Sequence, residues 1–541
     1  MSAPSIGRSS MLLASGTVFS RILGFVRAIV LAQALGVVAS AGADAFAVAN
    51  QLPNNLYVIV AGGVLTATLV PAIVKSALHR DGGAAYINKL VTIALVILVG
   101  TTLAAVLLAP VLVNIYALGW NDQQLALATA FAYWCLPQIF FYGLYALLGE
   151  ILNGRGSFGP FTWAPALNNI VAIAGLIVFI VLFGADSAGV RSVTDWTPGM
   201  IATLAGTATL GVAAQALVLT LFWRRIGLTW RPDFRWRGVG LRETGQIAGW
   251  TFGMILLTQV AGLVETNVTA LASGTAASVF ALQNAWLIFM LPHSVIAVSI
   301  ATAYFTRMSA HAAAGDTAKV VHDANESLRR IGLFMFLGAA GLIAVAMPFA
   351  RLFTENNSGV AALGELIMVL AVGLPAFSAL FVMQRVFFAL GDGRTPFLIT
   401  LFQAVLFSLV VLACTLLPKE LITLGVAAAL SVVGILQTLL AAFLLRRKLA
   451  ARRLGILPAY LVGAIAGIVS AAAGSGVAAL LGGFTAGGFA TANFFTAIVS
   501  MIIIGIVTAG VFALLLGLFK RPELGDLWRW VRRARATDSA E

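Results

Sequence analysis

Two arginines lie within the first long apolar stretch of the sequence, where charged side chains are uncommon. Arg21 and Arg27 are six residues apart, which on a helix separates them by about 120° around the axis and about 9 Å along it. An ionisable group inside lipid costs several kcal/mol and is a candidate functional residue by default. Because guanidinium binds phosphate through two parallel hydrogen bonds, the pair predicts a site for an anionic ligand.

Acidic residues in apolar stretches are few. Asp44 lies at the start of the second stretch and Glu265 in the seventh. One interpretation of the arginines is therefore that they neutralise Asp44 or another buried carboxylate as structural ion pairs, instead of binding a ligand. Glu265, near Asn267, is a candidate site for a coupling cation or proton.

Side-chain amides cluster in two further apolar stretches. Asn50, Gln51 and Asn54 surround Pro53, and Gln283 and Asn284 precede Pro292. Amides that face lipid would lack hydrogen-bond partners, so these residues predict the wall of a polar cavity. Hydrogen bonding between helices is the alternative.

Signatures of catalysis are missing from the sequence. The four histidines form no short metal-binding motif and no Gly-rich phosphate loop is present. The segments between apolar stretches also contain no close acidic pair that could hold a divalent metal. We therefore predict a protein that is not an enzyme and that has no catalytic residues, metal site or cofactor.

The composition excludes a soluble protein. Of 541 residues, 60% are hydrophobic and 10% charged, and the mean hydropathy is +1.00, far from the values of soluble domains. The net charge of +13 would indicate nucleic-acid binding in a soluble protein. In a membrane protein the placement of the Lys and Arg residues along the chain indicates topology instead. We predict an all-α polytopic membrane protein that binds no nucleic acid.

Fourteen apolar stretches are long enough to cross a bilayer, which needs about 20 residues. With a cytoplasmic amino terminus, 27 of the 33 Lys and Arg residues fall in inner segments and 3 in outer loops. This asymmetry predicts that both termini are cytoplasmic. The predicted spans are 11–36, 46–74, 90–117, 125–151, 160–184, 199–223, 246–272, 277–305, 331–354, 360–388, 396–417, 421–445, 457–481 and 491–519.

The spans divide into two lobes of six helices and two additional helices. Short matches between the halves, such as Asn50-Gln51 with Gln283-Asn284, indicate a parallel repeat with a substrate site between the lobes. The Trp- and Arg-rich linker is either an interfacial segment on anionic membrane lipids or a plain charged loop. The predicted parts are 1–223 (first lobe), 224–245 (linker), 246–448 (second lobe), 449–519 (two C-terminal helices) and 520–541 (basic tail).

Several motifs resemble the MurJ (MviN) family of lipid II flippases. The first is the run from Ser20 to Arg27, Ser-Arg-Ile-Leu-Gly-Phe-Val-Arg. It is followed by Gly42-Ala-Asp44-Ala-Phe, Leu52-Pro-Asn54 and Val70-Pro71, with supporting pieces around Asn168-Asn169 and Arg385. The resemblance implies the fold of the multidrug/oligosaccharidyl-lipid/polysaccharide exporter superfamily, with the last two helices forming a groove for the lipid tail. It also implies that Arg21, Arg27 and Asp44 are essential charges of the cavity.

The sequence departs from the family pattern at two places. Tyr57-Val58 stands where Gram-negative members have an arginine pair, and the eighth span lacks their arginine. The resemblance still implies a monomer in the bacterial plasma membrane that moves lipid II from the inner to the outer leaflet, with cell-division and peptidoglycan-synthesis proteins as partners. The alternatives are a polysaccharide-repeat or drug exporter of the same superfamily and, from another class, a membrane glycosyltransferase or a division scaffold.

Overall fold

The computed structural model describes residues 6–60, 84–155, 157–223, 230–235, 245–449 and 455–519. Within these ranges the chain forms α-helices with a few short turns of 3₁₀- and π-helix, and no β-strand. The α-helices are α1 (Ile6–Leu35), α2 (Ala41–Val60), α3 (Ala84–Leu107), α4 (Ala109–Tyr116), α5 (Asp122–Cys135), α6 (Gln138–Gly154), α7 (Phe158–Phe183), α8 (Pro198–Trp223), α9 (Gly245–Ala270), α10 (Val279–Pro292), α11 (Val298–Ala313), α12 (Thr317–Arg351), α13 (Asn357–Val372), α14 (Leu374–Ala389), α15 (Arg394–Ala413), α16 (Lys419–Lys448), α17 (Leu457–Leu480) and α18 (Phe494–Leu518).

The predicted polytopic all-α fold is confirmed. In the described ranges, 12 helices are long and apolar enough to cross a membrane, and the pair α13 and α14, bent by 44°, gives a thirteenth span. The fourteenth predicted span, 46–74, overlaps α2 as far as Val60. Helix α2 carries Asp44 and several amides. The rest of this predicted span lies outside the described residues. The count of about fourteen is consistent with these helices.

By internal contacts the chain divides into two compact units, residues 1–280 and 281–541. In the first unit, α1 and α8 pack against α7, and α2 packs against α5, α6 and α9. Its apolar core includes Ile87, Leu147, Ile151 and Leu219, each buried. Together these contacts form a bundle in which α1 and α2 carry the predicted site residues.

The turn between α1 and α2 has a backbone shape that only glycine adopts easily. Gly36 has a φ of +77°, and a Cβ atom there would lie 2.4 Å from the Cα of Gly189. The loop that contains Gly189 is held against this turn, because the backbone N–H of Asp186 donates to the Ala34 carbonyl at 3.2 Å. The turn therefore sets where α2 begins relative to α1.

In the second unit, the 35-residue helix α12 contacts α11, α13, α14, α17 and α18. Small residues let the last two helices approach closely. A Cβ atom added to Gly463 would lie 2.5 Å from Phe336, and one added to Gly474 would lie 2.2 Å from the Thr508 hydroxyl. Helices α17 and α18 therefore pack directly on α12.

The predicted boundaries within the chain stay predictions. The two compact units divide after Phe280, whereas the sequence analysis places the lobe boundary in the linker 224–245. Only residues 230–235 of that linker are described, and the basic tail 520–541 lies outside the described residues.

Candidate functional site

Arg27 lies half-buried on α1, and Arg21 is exposed on the same helix. The Arg27 guanidinium donates one long hydrogen bond, of 3.5 Å, to the side-chain oxygen of Asn169 on α7. It forms no ion pair with a carboxylate of the described residues. A half-buried guanidinium whose other N–H groups have no partner among the described residues is a candidate site for an anion.

The orientation of Asn169 explains this contact. Its side-chain nitrogen donates to the Ser20 carbonyl at 2.9 Å, and a backbone carbonyl can only accept. The amide oxygen must therefore face Arg27. Asn169 packs beside Gly24 of α1, where an added Cβ atom would lie 3.4 Å from the amide nitrogen. Asn169 thus restrains the position of Arg27 without neutralising it.

Asp44 is buried at the first turn of α2 and has its own partners. One carboxylate oxygen accepts from the Ser273 hydroxyl at 2.7 Å and the other from the Phe280 backbone N–H at 2.9 Å. Gln124 supports Ser273 by donating to its hydroxyl oxygen at 2.8 Å. Neither arginine of α1 is a partner of this carboxylate. The idea that Arg21 and Arg27 neutralise Asp44 is therefore wrong, because hydroxyl and amide donors already hold it.

The amides of α2 divide into two groups. Asn50 and Gln51 are half-buried and Asn54 is exposed. Asn55, which is buried, donates to the Tyr116 hydroxyl at 3.3 Å, while its carbonyl accepts from Gln259 on α9 at 3.3 Å. Asn55 therefore ties helices together, as the alternative interpretation of the amides expects, whereas the other three keep accessible surface.

Asn50 contacts a buried residue that the sequence analysis did not select. Gln138, at the start of α6, donates to the Asn50 side-chain oxygen at 3.2 Å and to the Thr209 hydroxyl at 2.9 Å. Its own oxygen accepts from the Tyr142 hydroxyl at 3.2 Å. A polar amide within an apolar span is the signal that could have identified it, as it identified Asn50.

The predicted residues of the eighth span lie in the second unit. Gln283 is exposed on α10 and Asn284 is buried. His293, also buried, begins a turn of π-helix between α10 and α11, and its Nδ1 lies 2.8 Å from the Ser378 hydroxyl. Arg385 lies over the Phe381 ring. A site that these residues share with Arg27 and Asn50 stays a prediction.

Glu265 lies half-buried on α9. Its carboxylate forms no hydrogen bond or ion pair with the side chains that the structure describes. Its neighbour Asn267 has a structural role, because it accepts from the Leu118 N–H at 2.9 Å and donates to the Ile115 carbonyl at 2.7 Å. In the described ranges, no cluster of three or more His, Cys, Asp or Glu residues could hold a metal ion.

Comparison with solved structures defines the class of fold. The chain is similar to the structure "Lipid II flippase MurJ, inward closed conformation", with a TM-score of 0.72, 20% identity, and coverage of 94% of this chain and 99% of that one. It is less similar to a "multidrug resistance MATE family transporter of the MOP superfamily", with a TM-score of 0.61, 16% identity, and coverage of 82% and 98%. The chain therefore has the same fold as these two structures.

The family follows from the sequence comparison. The model described as "Lipid II flippase MurJ" matches residues 31–507, and the chain belongs to this family. It is 28% identical over 436 residues to "Probable lipid II flippase MurJ" of Rhizobium meliloti (strain 1021), covering 78% of this chain and 77% of that protein. Its identity to the protein described in the same words from Synechocystis sp. is 26% over 464 residues, covering 84% of each.

Proposed function

We propose that this chain is a flippase that moves lipid II, the undecaprenyl-pyrophosphate-linked peptidoglycan precursor, from the inner to the outer leaflet of the bacterial plasma membrane by alternating access. The observation that carries the proposal is Arg27, a half-buried guanidinium on a membrane-spanning helix without an acidic partner in the described residues. Membership of the MurJ family supports lipid II as the source of the anion.

The chemistry of the ligand fits this arginine. A pyrophosphate carries several acceptor oxygens and little else to recognise, and guanidinium contacts two of them at once. Asn169 restrains the guanidinium while leaving its other N–H groups unused by described residues. The exposed Arg21, six residues earlier on α1, supplies a second positive charge. Asn50, Gln51, Asn54, Gln283 and Asn284 are the proposed polar contacts to the rest of the head group.

The test is translocation in proteoliposomes that hold the full-length purified chain. Fluorescent lipid II is placed in both leaflets, and a reagent outside the vesicles measures the fraction that becomes accessible. We expect faster exposure than in protein-free vesicles. A chain that leaves lipid II in place but moves an undecaprenyl-linked polysaccharide repeat or a cationic drug would instead be an exporter of the same superfamily.

We further propose that the termini and the linker face the cytoplasm. The charge asymmetry of the sequence supports this orientation. A single cysteine introduced at Trp230, in a chain from which Cys135 and Cys414 have been removed, is expected to react with a membrane-impermeant maleimide only after the cells are opened. A cysteine at Val190, in a predicted outer loop, is the matched control and should react in intact cells. Labelling of position 230 from outside would contradict this topology.

The described part of the linker suits a membrane surface. The backbone N–H groups of Arg231 and Asp233 donate to Asn88 and Thr92 on α3, at 3.2 and 3.0 Å, while Trp230 and Phe234 are exposed. The Arg235 guanidinium bonds the Asp233 carboxylate and lowers its pKa. We propose that this segment, docked on α3, rests its aromatic residues among anionic lipid head groups.

Two more parts of the proposal concern coupling and assembly. Glu265 is the proposed binding group for a coupling cation or proton, since its carboxylate has no hydrogen-bonding partner among the described side chains. The working unit is proposed to be a monomer. Proteins of cell division and peptidoglycan synthesis are its proposed partners, because they supply and consume the same precursor.

A further inference from the structure

The hydrogen bonds around Gln138 have a direction that can be deduced from their end point. The chain of bonds ends at the Trp134 carbonyl in the last turn of α5, which accepts from the Thr209 hydroxyl at 2.7 Å. A carbonyl has no hydrogen to give, so Thr209 must be the donor in this bond. Its hydroxyl has one hydrogen only, and the Thr209 oxygen therefore acts as an acceptor toward any other partner.

Because Thr209 donates to the Trp134 carbonyl, the orientation of the Gln138 side-chain amide is also determined. The atom of Gln138 that lies 2.9 Å from the Thr209 oxygen must be a donor, which makes it the side-chain nitrogen. The same nitrogen lies 3.2 Å from Asn50, and it uses its second hydrogen there. The Gln138 oxygen faces the Tyr142 hydroxyl. Gln138 is 1% exposed, so no water competes for these contacts.

The orientation of the Asn50 side-chain amide follows from that of Gln138. Since Gln138 donates to it, the contacting atom of Asn50 is the side-chain oxygen. Its nitrogen, with two N–H groups, forms no hydrogen bond with the described residues, and the side chain is only half-buried. Asn50 therefore turns its oxygen toward Gln138 and can donate to a ligand through its nitrogen.

We propose that Gln138 is a positioning residue of the ligand site, which holds Asn50 with its N–H groups free to donate to the phosphate oxygens of the substrate. This inference rests on the proposed function and deepens it by assigning the polarity of the site. The Asn50 nitrogen offers donors only, as does the Arg27 guanidinium on α1, and donors favour acceptor-rich anions over cations.

The variant that tests the polarity is Gln138→Glu. A carboxylate has no hydrogen to give, so Asn50 must turn its nitrogen toward position 138 and expose its oxygen to the ligand. We expect undecaprenyl pyrophosphate to bind about 10-fold more weakly to the full-length variant, while undecaprenol, which lacks the phosphates, binds as it does to the unchanged chain. Equal weakening of both ligands would overturn the proposal, because it would indicate a purely structural role.

A matched control and a double variant separate positioning from damage. Gln215 is a buried amide of α8 whose oxygen accepts from Asn168 at 2.9 Å, so Gln215→Glu buries the same charge but keeps the acceptor. We expect it to leave the ratio of the two affinities unchanged. Adding Gln138→Glu to Asn50→Ala should have no further effect on that ratio, and an additive loss would overturn the proposal. If the unchanged chain binds undecaprenyl pyrophosphate but does not move lipid II, the proposed function fails while this inference stands.

Discussion

Replacing Arg27 by alanine is expected to abolish lipid II translocation while leaving folded protein in the membrane. Among the described residues the guanidinium hydrogen-bonds only Asn169, and Asn169 keeps its bond to the Ser20 carbonyl without it. The buried Asn169 oxygen loses one long hydrogen bond, of 3.5 Å, so the free energy of unfolding should change little. Loss of a charge-assisted contact to pyrophosphate costs about 1.5 to 3 kcal/mol, or about 10- to 150-fold in affinity.

Arg27→Lys should rescue transport poorly, because an ammonium group cannot contact two phosphate oxygens in the fixed geometry of guanidinium. Translocation in proteoliposomes and thermal stability in detergent are measured side by side. Arg385→Ala is the control, since Arg385 bonds the Phe381 carbonyl of its own helix and lies over that residue's ring, and it should transport normally. Normal translocation by Arg27→Ala would exclude Arg27 from the site.

The fold was predictable because lipid constrains sequence strongly. Each predicted span outside residues 61–83 coincides with a helix or with two helices joined at a break. What could not be predicted are the breaks themselves. The break before Gln138, the bend at Gly373 and the π-turn at His293 each lie beside a proline, at Pro137, Pro375 and Pro292. Prolines also stand inside the continuous helices α2, α7 and α12, so a proline in an apolar stretch does not by itself predict a break.

The candidate site was predictable by residue type but not by pairing. An arginine or amide in an apolar run is visible in the sequence, and Arg27, Asp44 and Asn50 are all polar groups with defined contacts. Their partners come from distant segments, since Asp44 binds Ser273 and Phe280. Charge alone left open that Asp44 pairs with the arginines, yet a buried carboxylate is also satisfied by hydroxyl and backbone donors. Only the fold distinguishes these two arrangements.

Replacing Asp44 by alanine is expected to destabilise the protein, in contrast to the change at Arg27. The carboxylate joins the start of α2 to the turn after α9 and to the first turn of α10, through Ser273 and Phe280. Without it the buried Phe280 N–H and the Ser273 hydroxyl lose this acceptor, and each buried polar group left unsatisfied costs about 1 to 3 kcal/mol. We expect a lower melting temperature and less folded protein in the membrane.

Asp44→Asn separates this structural role from a role of the negative charge. The asparagine oxygen can still accept from Phe280, and its nitrogen can donate to the Ser273 oxygen, so stability should be largely retained. Ser273→Ala removes one of the two contacts and should destabilise less than Asp44→Ala. Thermal stability and lipid II translocation are measured for all three variants. If Asp44→Asn is stable and transports, Asp44 acts by positioning α2; if it is stable and inactive, the charge itself takes part in binding or coupling. An Asp44→Ala chain as stable as the unchanged protein would contradict the structural role.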